Sequence, residues 1–307
     1  MRSIERLQGR FMMPVIEPIL PRIVLGTAQM GMKYGVANRT GCPDVGAVAA
    51  ILAMAKDAGL SMLDTAAAYG ESEKALGNAG VSSWKVITKI PSLGNVPRAQ
   101  IGPLIHDLIS RSLDRLRCDQ VYAVMMHAAE DLTGPNAIAV IEALEILRSN
   151  GTCVRTGLSV YRPDELSDLP SEYRPGIIQA PLNPLDHRII VSGVAQKLAQ
   201  SGCEIHARSL FLQGLLLMPP ETRPDYFSRW SEYLSTCDSA LGNDPLAGCL
   251  GFAAAQSGIA RLVVGVESEG QLREIVEAAE RARDTEKASY VGCEDPELIE
   301  PRLWEVA

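Results

Sequence analysis

The sequence is poor in aromatic side chains, 5% of its 307 residues, and it holds only four histidines. It has no CxxC pair. Its seven cysteines, Cys42, Cys118, Cys153, Cys203, Cys237, Cys249 and Cys293, are odd in number and scattered. A disulfide framework or a zinc knuckle clusters its cysteines, so these read as small buried hydrophobes in a reducing compartment. No group of His, Cys and carboxylates has metal-ligand spacing, and no metal is expected. Positive charge is in deficit: 29 Lys and Arg against 37 Asp and Glu give a net charge of −8. Nucleic acid and anionic lipid call for positive surfaces, so neither is an expected partner. No stretch reaches the roughly 18 consecutive apolar residues that span a bilayer. The run Phe11-Met12-Met13 is soon broken by Pro14 and Pro18, too short for a secretory signal. A cytoplasmic protein is expected, with residues 1–21 as an unpatterned leader and Met12 or Met13 as alternative starts. A Gly-Lys-Ser phosphate loop is missing, and Gly26-Thr27-Ala28-Gln29-Met30-Gly31 does not fit a GxGxxG dinucleotide turn.

What is present is a large apolar fraction, 47% against 21% charged, enough for a sizeable core. Eight short runs, 22–28, 61–65, 84–90, 120–127, 154–160, 176–182, 203–210 and 261–267, are β-rich and almost continuously apolar. That pattern marks parallel strands buried on both faces. Helical patterns lie between them at 45–58, 101–116, 137–149, 194–199, 247–257 and 271–283. Strands alternating with helices eight times in about 260 residues match a single-domain α/β fold, the (β/α)8 TIM barrel. The barrel spans 22–283, followed by a C-terminal tail at 284–307. The stretch 218–243 has no clear pattern.

A barrel of this kind keeps its chemistry at the C-terminal ends of its strands. There Asp64 ends the second run, Lys89 the third and His127 the fourth, each interrupting apolar residues, with Tyr69 just beyond the second. Singly, each has an ordinary structural explanation, such as a helix cap for Asp64 or a packed ring for His127. Together they make a proton donor. A tyrosine ionises near pH 10, and a neighbouring ammonium stabilises its phenolate. A carboxylate keeps that ammonium charged and oriented, and a histidine hydrogen-bonds a substrate oxygen. This apparatus protonates a carbonyl oxygen while the carbon receives a hydride, which a cofactor must supply. A hydrolase using Asp64 with Glu73 is the rival reading, and it leaves Lys89 and Tyr69 without roles.

Asp64-Thr65-Ala66-Ala67-Ala68-Tyr69-Gly70, followed by Ser72-Glu73 and Leu76-Gly77, resembles the signature of the aldo-keto reductase family. Lys89 and His127 fall where that family has its catalytic lysine and histidine. The resemblance covers about residues 22–283. It implies an NAD(P)-dependent oxidoreductase acting on a small-molecule carbonyl substrate, with Tyr69 as general acid, Lys89 lowering its pKa, Asp64 supporting Lys89, and His127 positioning the carbonyl. The segment 26–31 with Tyr34-Gly35 is most similar to members acting in bacterial sugar modification. An aldose or alcohol dehydrogenase running in the oxidative direction, and a cofactor-binding regulatory barrel, are the alternatives. The resemblance also implies cofactor contacts from Thr27, Ala28, Ser159, Gln179, Arg208, Ser209, Leu210, Gln213, Gly265, Gln271 and Glu274. Arg208 stands where the family often stacks an aromatic ring on the nicotinamide. NADPH is the family's usual cofactor. Its phosphate-gripping cations after the last strand are replaced here by Gly265, Val266 and Gln271, with Glu267 alongside, so NADH stays open. Arg261 and Arg273 are the nearby substitutes. Trp304 in the tail folds over the barrel mouth or packs against an outer helix.

Overall fold

The computed structural model describes residues 18–282 and 291–305. Residues 1–17 of the leader, Met12 and Met13 among them, lie outside the described residues, as do Arg283 and the first tail residues. Eight parallel strands close into a barrel in sequence order. They are β1 (Ile23–Gly26), β2 (Met62–Asp64), β3 (Lys85–Ile90), β4 (Val121–Met126), β5 (Cys153–Ser159), β6 (Ile177–Pro181), β7 (Glu204–Arg208) and β8 (Ile259–Gly265). Closure runs from Ile23 beside Leu262 to Gly26 beside Gly265. Each strand overlaps a predicted apolar run, with β5 and β8 starting one and two residues earlier.

The strands alternate sides. Outward residues such as Leu25, Leu63 and Val124 join the main core under the helices. Inward residues Val24, Met62, Ile87, Ala123, Met125 and Ile177 form an apolar plug inside the barrel. Because side chains repeat every second residue along a strand, the next inward layer is Gly26, Asp64, Lys89, His127 and Gln179. Strand register thus lifts the polar residues one step above the plug, at the mouth.

The helices Val45–Asp57, Ala137–Ser149, Pro245–Ala254 and Glu269–Arg281 follow the predicted segments closely. The helix Arg98–Leu116 begins three residues before its prediction, and Val194–Gln200 matches its own. Eightfold alternation is imperfect after β5. The segment 160–176 holds only the 3-10 turn Pro163–Leu166 among the described residues. Pro163, Pro170 and Pro175 remove the donors a helix there needs. The stretch 218–243 is also more ordered than its pattern suggests: two 3-10 turns lead into the helix Ser231–Leu241. It encloses a second apolar cluster in which Phe227, Trp230 and Leu234 meet Leu298 and Ile299 of the tail. Trp304 joins this cluster edge-on to Phe227, 4.8 Å between ring centroids, so it lies against the excursion after β7. Five cysteines are buried as expected, whereas Cys42 is exposed and Cys118 is half-buried. No described helix is long and apolar enough to cross a membrane, and no described group of His, Cys, Asp and Glu is arranged to hold a metal ion.

Candidate active site

Asp64 is the last residue of β2 and caps no helix. Its Oδ2 accepts from Lys89 Nζ at 2.7 Å, and its Oδ1 accepts from Gln179 Nε2 at 2.8 Å. Lys89 Nζ also donates to the Thr65 carbonyl at 3.0 Å and to the Tyr69 hydroxyl at 3.5 Å. His127 meets Tyr69 edge to face, 5.7 Å between centroids. The four predicted catalytic residues therefore form one group.

Tyr69 owes its position to a tight turn. Its amide donates to the Ala66 carbonyl, and its own carbonyl accepts from the Ser72 amide, both at 3.0 Å. Gly31 of the first loop presses against this turn: a Cβ there would stand 1.9 Å from the Tyr69 carbonyl oxygen, so only glycine fits. Ser72 donates to Thr27, and Thr27 donates to the Asp64 carbonyl at 3.0 Å, stitching the ends of β1 and β2 together. Glu73 is 1% exposed and accepts from Thr88 at 2.5 Å, while Arg115 pairs with it at 2.6 Å. Glu73 is thus committed beside β3 and lines no part of the mouth cavity. The hydrolase pairing of Asp64 with Glu73 has no geometry to support it.

Burial governs the proton affinities. It pushes the Lys89 ammonium down, against the pull of Asp64. It pushes the Tyr69 hydroxyl up; Asp64 adds to that rise and the Arg208 charge opposes it. The expected lowering by Lys89 gives way to desolvation, and Arg208 is the cation that draws Tyr69 down. His127 is lowered to about 4 by burial and by the charges of Lys89 and Arg208, so it is a neutral imidazole at neutral pH.

A cavity of about 530 Å³ opens beside Tyr69 and Asp64 and runs to Glu267 and Glu274. Of the expected cofactor contacts, Thr27, Ala28, Gln179, Arg208, Ser209, Leu210, Gln213, Gly265, Gln271 and Glu274 line it. Ser159 does not: it is buried at the end of β5, away from this cavity. The loop after β7 is held in an unusual shape, with Ser209, Leu212 and Gln213 at positive φ. Gly214 of that loop packs so closely on Ala37 that a Cβ would come within 2.6 Å. The loops after β1 and β7 thereby make one wall. Tyr34 of the Tyr34-Gly35 pair lines it too, and so do Asn38 and Arg39, for which the sequence carried no separate signal.

At the far end Glu267 accepts from the Thr40 hydroxyl at 3.0 Å, and its amide donates to Gln271 Oε1 at 2.7 Å. Arg273 pairs with Glu269 at 2.7 Å on the exposed face of its helix. Arg261 donates to the Pro21 carbonyl at 2.6 Å, near the strand N-termini. Neither lines the cavity. Exposed Arg39 is the arginine that reaches this end.

The other histidines stand apart. His106 is exposed on its helix. His206 is buried in β7 and shares a hydrogen bond with Glu204 at 3.2 Å. His187 is half-buried against Gly292, where a Cβ would stand 2.8 Å from its Cε1.

The sequence model of the Aldo/keto reductase family matches residues 22–292. The chain belongs to this family. It is accordingly an NAD(P)-dependent oxidoreductase of the aldo-keto reductase type. No curated protein matches it. An aldo-keto reductase of Bacillus halodurans, solved in a holo form, superposes with a TM-score of 0.66 at 20% identity, covering 88% of this chain and 93% of its own. A glycerol dehydrogenase of Gluconobacter oxydans gives a TM-score of 0.64 at 20% identity, over 86% of this chain and 90% of its own. At such identities the likeness speaks for the fold.

Proposed function

We propose that this aldo-keto reductase reduces an aldehyde or ketone, with sugars or their derivatives as the first class to examine, using Tyr69 as general acid. The observation that carries the reading is the buried Asp64–Lys89–Tyr69 chain with His127 at its edge. The lining of the cavity fits a nicotinamide dinucleotide: the Gln179 amide stands at the inner end, with Ser209 and Gln213 along the wall. When bound, that cofactor supplies a hydride to the carbonyl carbon. The chain's own part is proton handling. His127, neutral, donates an N–H to the carbonyl oxygen and fixes it. Tyr69 passes its hydroxyl proton to the same oxygen as negative charge develops there. Lys89, held by Asp64, and Arg208 stabilise the phenolate left behind, and solvent returns the proton. In the opposite direction the phenolate is the base.

The far end of the cavity favours NADH over NADPH. A 2′-phosphate placed there would meet Glu267 and Glu274, with Arg39 as its single guanidinium, whereas the Glu267 carboxylate suits a ribose hydroxyl. Absorbance of the reduced nicotinamide against a panel of neutral, hydroxylated and acidic carbonyls tests the activity. Side-by-side titrations with NADH and NADPH test the preference. Failure to bind either one overturns the reading. Tighter NADPH binding overturns the preference alone.

A further inference from the structure

Arg208 ends β7 and lines the same cavity as Tyr69. Its hydrogen bonds go to neutral oxygens, the Val160 carbonyl at 3.0 Å and the Ser209 hydroxyl at 3.2 Å. The charges around it are engaged with one another. Lys89 pairs with Asp64, Arg188 with Asp186 and Glu300, and Arg302 with Glu300. Glu165 lies behind the Tyr161 backbone, accepting from its amide at 2.8 Å and reaching Arg302 at 3.9 Å. Among the described residues no carboxylate makes an ion pair with Arg208.

This cation is also held firmly. Its Cζ lies 4.3 Å from the centroid of the Tyr161 ring, and the Cζ of Arg302, from the tail, lies 4.1 Å from the same centroid. Arg302 is fixed in turn by Glu300, which is 1% exposed. Arg188 donates to the Tyr161 carbonyl at 3.3 Å. The tail and the loop after β5 thus brace one guanidinium at the mouth. Its charge acts on Tyr34, Tyr69, Lys89 and His127 together.

A hydride donor must lie against the carbonyl that Tyr69 protonates, within reach of this charge. In the reaction the new C–H bond takes two electrons and a hydrogen from the donor ring. The carbonyl π pair moves to oxygen and takes the Tyr69 proton. The donor, neutral when reduced, becomes a cation. We propose that Arg208 makes the site discriminate between the oxidation states of its cofactor, accepting the neutral reduced form and repelling the cationic oxidised form. The protein therefore loads reduced dinucleotide against an excess of the oxidised one and sheds it once spent, which sets it up as a reductase in preference to a dehydrogenase. The same charge favours the Tyr69 phenolate. This inference rests on the proposed function above.

Calorimetric titration of the intact protein with NADH, NAD+, NADPH and NADP+, without substrate, tests it. The reduced form is expected to bind at least tenfold tighter than its oxidised partner, which for a two-electron couple corresponds to a shift of about 30 mV. Arg208→Gln and Arg208→Tyr bring the ratio towards one by tightening the oxidised form. Arg208→Lys retains it. Tyr161→Leu, which frees the guanidinium without removing its charge, lowers the ratio part of the way. Equal binding of both forms by the wild-type protein overturns the inference and leaves the proposed function standing. So does a wild-type ratio that survives in folded Arg208→Gln or Arg208→Tyr. Absence of binding by any form overturns both.

Discussion

Lys89 has its ammonium in a place where a lone charge would not survive. It is 1% exposed, and burial alone favours its neutral form. Asp64 at 2.7 Å pulls the other way, towards the charged form. Removing one member of such a pair strands the other, so Asp64→Asn is expected to cost about 3–5 kcal/mol in urea unfolding. The double variant Asp64→Asn with Lys89→Met regains much of that stability but no activity. His127 gives a second test at this scale. The folded protein protonates it near pH 4 and the unfolded chain near 6.5. Its contribution to stability is complete above pH 6.5 and erodes as pH falls through that window. His127→Asn, compared with wild type by denaturant melts from pH 7 to 4, is expected to lose less stability on acidification, by on the order of 3 kcal/mol at pH 4. A parallel fall in both proteins would contradict the burial of His127. Asp64, Lys89 and His127 were legible because each breaks an apolar run at a strand end. Tyr161 and Arg302 were not, because their meeting with Arg208 depends on a loop and a tail far apart in the chain.

Among the elements, the short helix Ser72–Ala79 fastens the site to the barrel wall. Its Glu73 joins Thr88 of β3 and Arg115 of the helix Arg98–Leu116. Gly77 lets the two helices touch, since a Cβ would stand 2.0 Å from the Arg115 carbonyl oxygen. Glu73→Ala leaves Arg115 without its partner and Thr88 without an acceptor, and is expected to destabilise by about 3 kcal/mol. Urea midpoints at constant slope would show it, and an unchanged midpoint would deny Glu73 that role. Strands were the easiest elements to read, because burial on both faces writes an unbroken apolar run. This helix was harder, with Leu76 almost alone as its apolar signal. The prolines that withhold a helix after β5 were visible in the sequence, but the regular alternation of the barrel outweighed them.

At the scale of the molecule, the tail belongs to a second apolar cluster that the barrel pattern does not announce. Leu298 and Ile299, both fully buried, close over Phe227 and Trp230. Ending the chain after Cys293 gives up roughly 1.5–3 kcal/mol for each of those two side chains. A lower melting temperature and new binding of a hydrophobic dye are expected, and an unchanged melt would show that the tail adds nothing. The central claim remains the proton donor, and Tyr69→Phe tests it most directly. With the best carbonyl of the panel and saturating reduced cofactor, the variant is expected to lose about 10²–10⁴ in kcat while its calorimetric affinity for the cofactor stays at the wild-type value. A variant that binds cofactor and still reduces the carbonyl at the wild-type rate would contradict the account.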